Sequence, residues 1–204
     1  MKTQPLSADA AVERITFGRS MGEGPFIETF RLLALHLEQM LRRTAAKSIL
    51  IMSTQPGDGR TTTATALARA MCESQKPVLL IDADPFGTRS GSASALTNGD
   101  GLARSQHNGH SLLHRYRPRP ELPAAAFIND VAEAISAAGP LDMTAIIDTP
   151  PCLNSSIAFG LAPKVGGVLY VARPGTRRRP PHAEIRAQLD LLGATVFGVV
   201  VNEA

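Results

Sequence analysis

Tryptophan is absent, and two Tyr and seven Phe are all the aromatic rings in 204 residues. A surface that stacks single-stranded bases on aromatic faces is therefore poorly supplied. Cysteine is nearly missing too, with Cys72 and Cys152 the whole complement. Two such thiols are no disulfide framework; they fit buried thiols in a reducing cytosol. No apolar run approaches the roughly 18–20 residues that span a bilayer. The opening stretch, MKTQPLSADAAVERITFG, lacks the apolar core of a secretory signal. An excess of one charge is also missing. Lys and Arg number 21 against 18 Asp and Glu, a formal net charge of +3, which argues against a nucleic-acid protein. These absences leave a cytoplasmic protein without a transmembrane segment as the expectation.

What is present suffices for a core. Hydrophobic residues make up 44% of the chain, and the length suits one domain. Residues 1–25 are polar and read as a flexible N-terminal arm, and 26–204 as a single domain. Ile27, Phe30, Leu33, Leu37 and Leu41 recur at helical spacing over 26–43. Ser48–Met52 is a short apolar run closed by turn residues, a buried strand. Residues 61–75 read as a helix, Val78–Ile81 as a second buried strand. Residues 85–123 are rich in Gly, Ser, Pro, His and Arg and read as one long loop, with at most a short helix near Leu112. Beyond it come a helix over 124–138, strands at Ala145–Ile147 and Gly167–Ala172, a helix over 181–192 and a last strand, Thr195–Val201. Strands alternating with helices predict an α/β fold, a mostly parallel sheet with helices on both faces. Such sheets bind ligands at the C-terminal ends of their strands.

Three segments converge there. The first, Ser53-Thr54-Gln55-Pro56-Gly57-Asp58-Gly59-Arg60-Thr61-Thr62, joins a strand to a helix. Gly57 and Gly59 permit a tight turn and a close approach to a ligand. The amides from Gly57 to Thr62 face the helix N-terminus, where anions are favoured. Thr61 stands at the magnesium-ligand position of a phosphate loop. Against the pattern G-x-x-x-x-G-K-[ST], Thr54 replaces the first Gly and Arg60 replaces the Lys. Arginine is a planar fork rather than a compact charge, so its grip on phosphate has another geometry. The other two segments are Asp82 and Asp84 after one apolar strand, and Asp148 before Pro150–Pro151 after another. Strand-end aspartates commonly cap turns. Two such strand ends beside a phosphate loop fit metal holding and activation of a nucleophile better.

Together these pieces resemble the P-loop domain of the bacterial tyrosine kinases (BY-kinases), relatives of the partitioning and division-site ATPases. The resemblance spans residues 26–202. The loop S-x-x-P-G-x-G-K-[ST]-T is met by Ser53, Pro56, Gly57, Gly59, Thr61 and Thr62, with Arg60 the exception. The pattern D-x-D-x-R is met by Asp82 and Asp84, with Phe86 in place of Arg. The pattern D-x-P-P is met by Asp148, Pro150 and Pro151. Glu28 and Arg31 match the oligomerisation element E-x-x-R-x-x-R, and Ala34 replaces its second Arg.

The resemblance implies a P-loop NTPase of three layers, α/β/α, that takes ATP with Mg2+. It implies that Pro56, Gly57, Asp58, Gly59, Arg60, Thr61 and Thr62 contact the phosphates and that Asn202 lies near the adenine. It implies Thr61, Asp82 and Asp148 at the metal. Asp82 would be the base toward a tyrosine hydroxyl, with Asp84 and Arg60 completing the catalytic set. It also implies exopolysaccharide or capsule synthesis, and a partner that is the cytosolic part of a membrane polysaccharide co-polymerase. That partner would bring the chain to the inner face of the plasma membrane, where a homo-oligomer is a further expectation. A C-terminal Tyr cluster is not seen, only Tyr116 and Tyr170, and Ile157 stands where the family often has Asp. A degenerate, regulatory member is thus the alternative, and a positioning ATPase a third reading. The latter usually has an early loop Lys, which Ser53, Thr54 and Gln55 do not supply.

Weaker signals read as solvated loop. These are His107, His110 and His114, whose spacing also suits a metal, and Arg115, Arg117 and Arg119. Arg177-Arg178-Arg179 is a second basic cluster; like the first it reads either as solvated charge or as a contact for an acidic partner or anionic lipid.

Overall fold

The computed structural model describes residues 14–17, 23–44, 47–85, 103–107, 110–174 and 182–203. Its centre is an eight-stranded sheet in the order β1-β8-β7-β2-β6-β3-β5-β4. The strands are β1 (Arg14–Phe17), β2 (Ser48–Ser53), β3 (Val78–Asp82), β4 (Ala103–His107), β5 (His110–Tyr116), β6 (Thr144–Asp148), β7 (Gly167–Ala172) and β8 (Val196–Asn202). All run parallel except β4, which is antiparallel to β5 at one edge. The expected mostly parallel α/β architecture is therefore present.

The central strands are apolar on both sides because both sides are covered. Ile49, Ile51, Val78, Leu80 and Ile146 face one core, with Phe30, Leu33 and Leu37 of α1 (Glu23–Leu41) and Leu67 and Met71 of α2 (Arg60–Glu73). Leu50, Met52, Leu79, Ile81 and Ile147 face the other. There they meet Phe127 and Val131 of α3 (Ala124–Ala138), Ile157 and Leu161 of α4 (Ile157–Leu161), and Ile185 and Leu189 of α5 (His182–Leu191). Successive strand residues alternate between the two cores, as the pleat requires.

The structure corrects the sequence reading at four places. Within the expected arm, Arg14–Phe17 is a strand, paired in parallel with Val199–Asn202. Helix α1 begins at Glu23 rather than Phe26, and Ile27 is exposed while Ala34 is buried. The 85–123 segment is not one loop: it carries β4 and β5, and the short helix near Leu112 is replaced by strand. Leu113 is the anchor of β5, buried at 6% exposure opposite Val78 of β3. Apart from Leu112 and Tyr116, the other positions of β5 are polar, which hid its strand character. The Arg177–Arg179 cluster and Phe86 lie outside the described residues. No helix among the described residues is long and apolar enough to cross a membrane.

Candidate nucleotide site

Strand β2 ends at Ser53 and α2 begins at Arg60, with Gly59 as its N-cap at φ 99°. Gly57 is also left-handed, at φ 84°. Both glycines occupy backbone that other residues adopt only with strain. At Gly59 there is a second constraint, because an added Cβ would lie 2.2 Å from Asn202 Nδ2. The same amide donates to the Asp58 carbonyl at 3.0 Å. The Asn202 side chain is thus spent on the loop itself.

The Asp58 side chain turns inward. Its Oδ2 accepts from the Gln55 amide at 2.8 Å and from the Thr54 hydroxyl at 3.4 Å. Asp58 therefore shapes the loop with its carboxylate. Thr54, at the usual first-glycine position, is buried and reaches the Tyr170 hydroxyl at 3.1 Å. Tyr170 in turn lies 2.9 Å from His182 Nδ1 at the start of α5. Burial pushes the Tyr170 phenol up to about 12, so it stays a neutral link. The sequence places Tyr170 within the strand Gly167–Ala172 but carries no local signal for this chain of contacts.

The carboxylates sit on neighbouring strands. Asp82 of β3 is directly opposite Asp148 of β6, and Ile51 of β2 is opposite Asp148 on its other side. The Ala83 amide donates to the Asp148 carbonyl at 2.8 Å, and the Thr149 hydroxyl to the Ile51 carbonyl at 2.9 Å. These bonds fix the ends of β2, β3 and β6 in one plane below the phosphate loop. Asp148 is 6% exposed and its Oδ1 has no hydrogen-bond partner. Burial pushes its carboxyl up to about 6, against the Thr61 hydroxyl and Arg60, which favour the charged form; Asp82 and Asp84 push further up. Asp82 is raised by burial too, opposed by Arg117.

Arg60 points back toward the end of β2, its Nη1 donating to Ser53 Oγ at 3.3 Å while Nε is buried without a partner. Burial lowers its pKa, and Asp148, Asp84 and Asp58 counteract. The residue that sequence reading missed most plainly is Arg117. It falls in a cluster that reads as solvated charge or as a contact for an acidic partner, yet its Nε lies 3.5 Å from Asp82 Oδ2 and it donates to the Asp84 carbonyl at 3.4 Å. Tyr116, read as a loop residue, ends β5 and donates to Asp130 of α3 at 2.7 Å.

A phosphate cradle beside strand-end carboxylates on a parallel sheet is what nucleotide-binding domains share. Residues 49–203 match the model of the CobQ/CobB/MinD/ParA nucleotide binding domain, CbiA. The chain belongs to this family. Within the CbiA family its similarity runs to bacterial tyrosine kinases. Tyrosine-protein kinase YwqD of Bacillus subtilis (strain 168) is 27% identical over 190 residues, covering 86% of this chain and 80% of YwqD. Tyrosine-protein kinase etk of Escherichia coli (strain K12) is 26% identical over 191 residues. That match takes 86% of this chain but only 26% of etk. The solved kinase domain of E. coli tyrosine kinase ETK superposes with a TM-score of 0.70 at 20% identity, over 93% of this chain and 88% of that one. The last of these establishes the fold alone.

Proposed function

We propose that this CbiA-family chain binds ATP with magnesium at the ends of β2, β3 and β6, and acts as a BY-kinase-like phosphoryl-transfer protein of polysaccharide synthesis or export. One observation carries the reading. Asp148 is buried beside Thr61 and Arg60 with an oxygen that has no partner. A buried carboxylate oxygen left unpaired costs free energy unless a ligand completes it. Magnesium suits that place, because it takes one or two carboxylates and fills its shell with phosphate oxygens and water.

Thr61, Asp82 and Asp148 would hold the metal, and the Gly57–Thr62 amides with Arg60 the phosphates. Bound magnesium would neutralise charge on the phosphates. Asp82, with Asp84 assisting, would accept the proton of a tyrosine hydroxyl. A membrane co-polymerase at the inner face of the plasma membrane is the partner that fits a cytoplasmic chain of this kind, and self-association is compatible with it.

The regulatory alternative has its own support, since Arg60 is directed at Ser53 rather than outward. Calorimetric titration with ATP and ADP, with and without magnesium, decides between them on the wild type, Arg60→Lys and Asp148→Asn. Magnesium-dependent micromolar binding, lost in Asp148→Asn, is the expected result. Binding only by Arg60→Lys would give the regulatory reading the lead.

A further inference from the structure

Arg117 leaves the end of β5 and reaches the acid pair of β3. Its contacts are Asp82 Oδ2 at 3.5 Å and the Asp84 carbonyl at 3.4 Å. Asp82 Oδ1 meanwhile accepts from the Asp84 amide at 3.3 Å. The guanidinium is thus laid across the turn after β3, with its side chain 22% exposed. Phe86, where D-x-D-x-R would carry an arginine, brings no charge; Arg117 brings one from just beyond the end of β5.

The sheet order gives the site a direction. Asn202 ends β8, which lies on one side of β2, while Asp148, Asp82 and Arg117 follow on the other side along β6, β3 and β5. With the base end of a nucleotide on the β8 side, as the resemblance implies, and the phosphates over α2, the terminal phosphate would come last, nearest the β3 turn. A diphosphate stops one phosphoryl group short. Occupation of Asp82 by the metal would also take from Arg117 its only carboxylate contact described above. An arginine fork deprived of its carboxylate and facing phosphate oxygens binds them strongly.

We infer that Arg117 distinguishes the triphosphate from the diphosphate in this site: it clasps Asp82 when the site is empty and the terminal phosphate when it is filled. This rests on the nucleotide reading proposed above. The test is calorimetry on the full chain with magnesium and either ADP or the non-hydrolysable analogue AMP-PNP, comparing wild type, Arg117→Gln and Arg117→Lys. Thermal melts establish that each variant is folded, and the lysine variant preserves the charge if the neutral one is damaged. In Arg117→Gln the affinity for AMP-PNP falls about tenfold while that for ADP changes less than about threefold; Arg117→Lys lies between. Equal losses for both nucleotides, or no loss for either, would overturn the inference while leaving the nucleotide reading intact. A wild type that binds neither nucleotide would overturn both.

Discussion

Asn202 Nδ2 donates to the Asp58 carbonyl at 3.0 Å, joining residues 144 positions apart. The last strand thereby holds the phosphate loop from behind, and Gly59 is the residue that lets it come so close. The contact explains why an asparagine and a glycine belong together here.

Gly59→Ala should therefore suffer twice, from the positive φ and from a Cβ 2.2 Å from the Asn202 amide. The expected loss is about 1–3 kcal/mol in urea denaturation, with nucleotide affinity falling at least about tenfold as the loop shifts. Adding Asn202→Ala removes the collision but not the backbone strain. The double variant should then lose less than the sum of the single losses. Strict additivity would show that the two residues do not constrain each other.

The Asp148 carboxyl, pushed up to about 6 by burial, makes the ligand-free protein sensitive to pH. Between the unfolded value near 4 and the folded value, the native state binds the extra proton. Stability must then fall as pH rises through that window. Relative to Asp148→Asn, the wild type should lose up to about 3 kcal/mol between pH 4 and pH 7 without metal or nucleotide. Parallel denaturation curves for the two proteins across that range would remove burial of a charge as the cause.

The chain Thr54–Tyr170–His182 ties the phosphate loop to α5. Tyr170→Phe removes the shared hydroxyl and leaves the buried Thr54, among the described residues, with its weak 3.4 Å contact to Asp58. A loss of about 1–2 kcal/mol is expected, visible as a lowering of Tm by a few degrees. A Tm unchanged from wild type would mean that water replaces the phenol without cost.

How much of this was legible beforehand depended on what each strand has to cover. Strands β2, β3 and β6 are buried on both sides and run straight into their motifs, so an apolar run followed by Pro-Gly or Asp announced them. Strand β5 lies next to the sheet edge, and only Leu112 and Leu113 are apolar there. Its His114 and Arg115, with Arg117 just after it, resembled a solvated loop. The role of Arg117 was invisible for a related reason: its partner is set by the pairing of β5 with β3, which joins residues 35 or so apart in sequence only once the sheet has formed. Asp58 was legible as part of the loop but not in its role, because a turn aspartate can serve either a ligand or its own backbone. The four residues of β1 were too few to stand out from the polar stretch around them.

The pairing of Asp82 with Asp148 makes the sheet a ruler. Neighbouring strands stand about 4.8 Å apart, so the gap between these two acids is set by backbone hydrogen bonds and not by side-chain reach. A slip of one residue in β3 would turn Asp82 to the opposite side and exchange the two cores' side chains with it. Residues around the phosphate loop, such as Arg60 and Thr54, can drift during divergence, since each is held by one or two side-chain hydrogen bonds. The calibration between the acids cannot drift without dismantling both cores, so it should be the last feature of the site to decay.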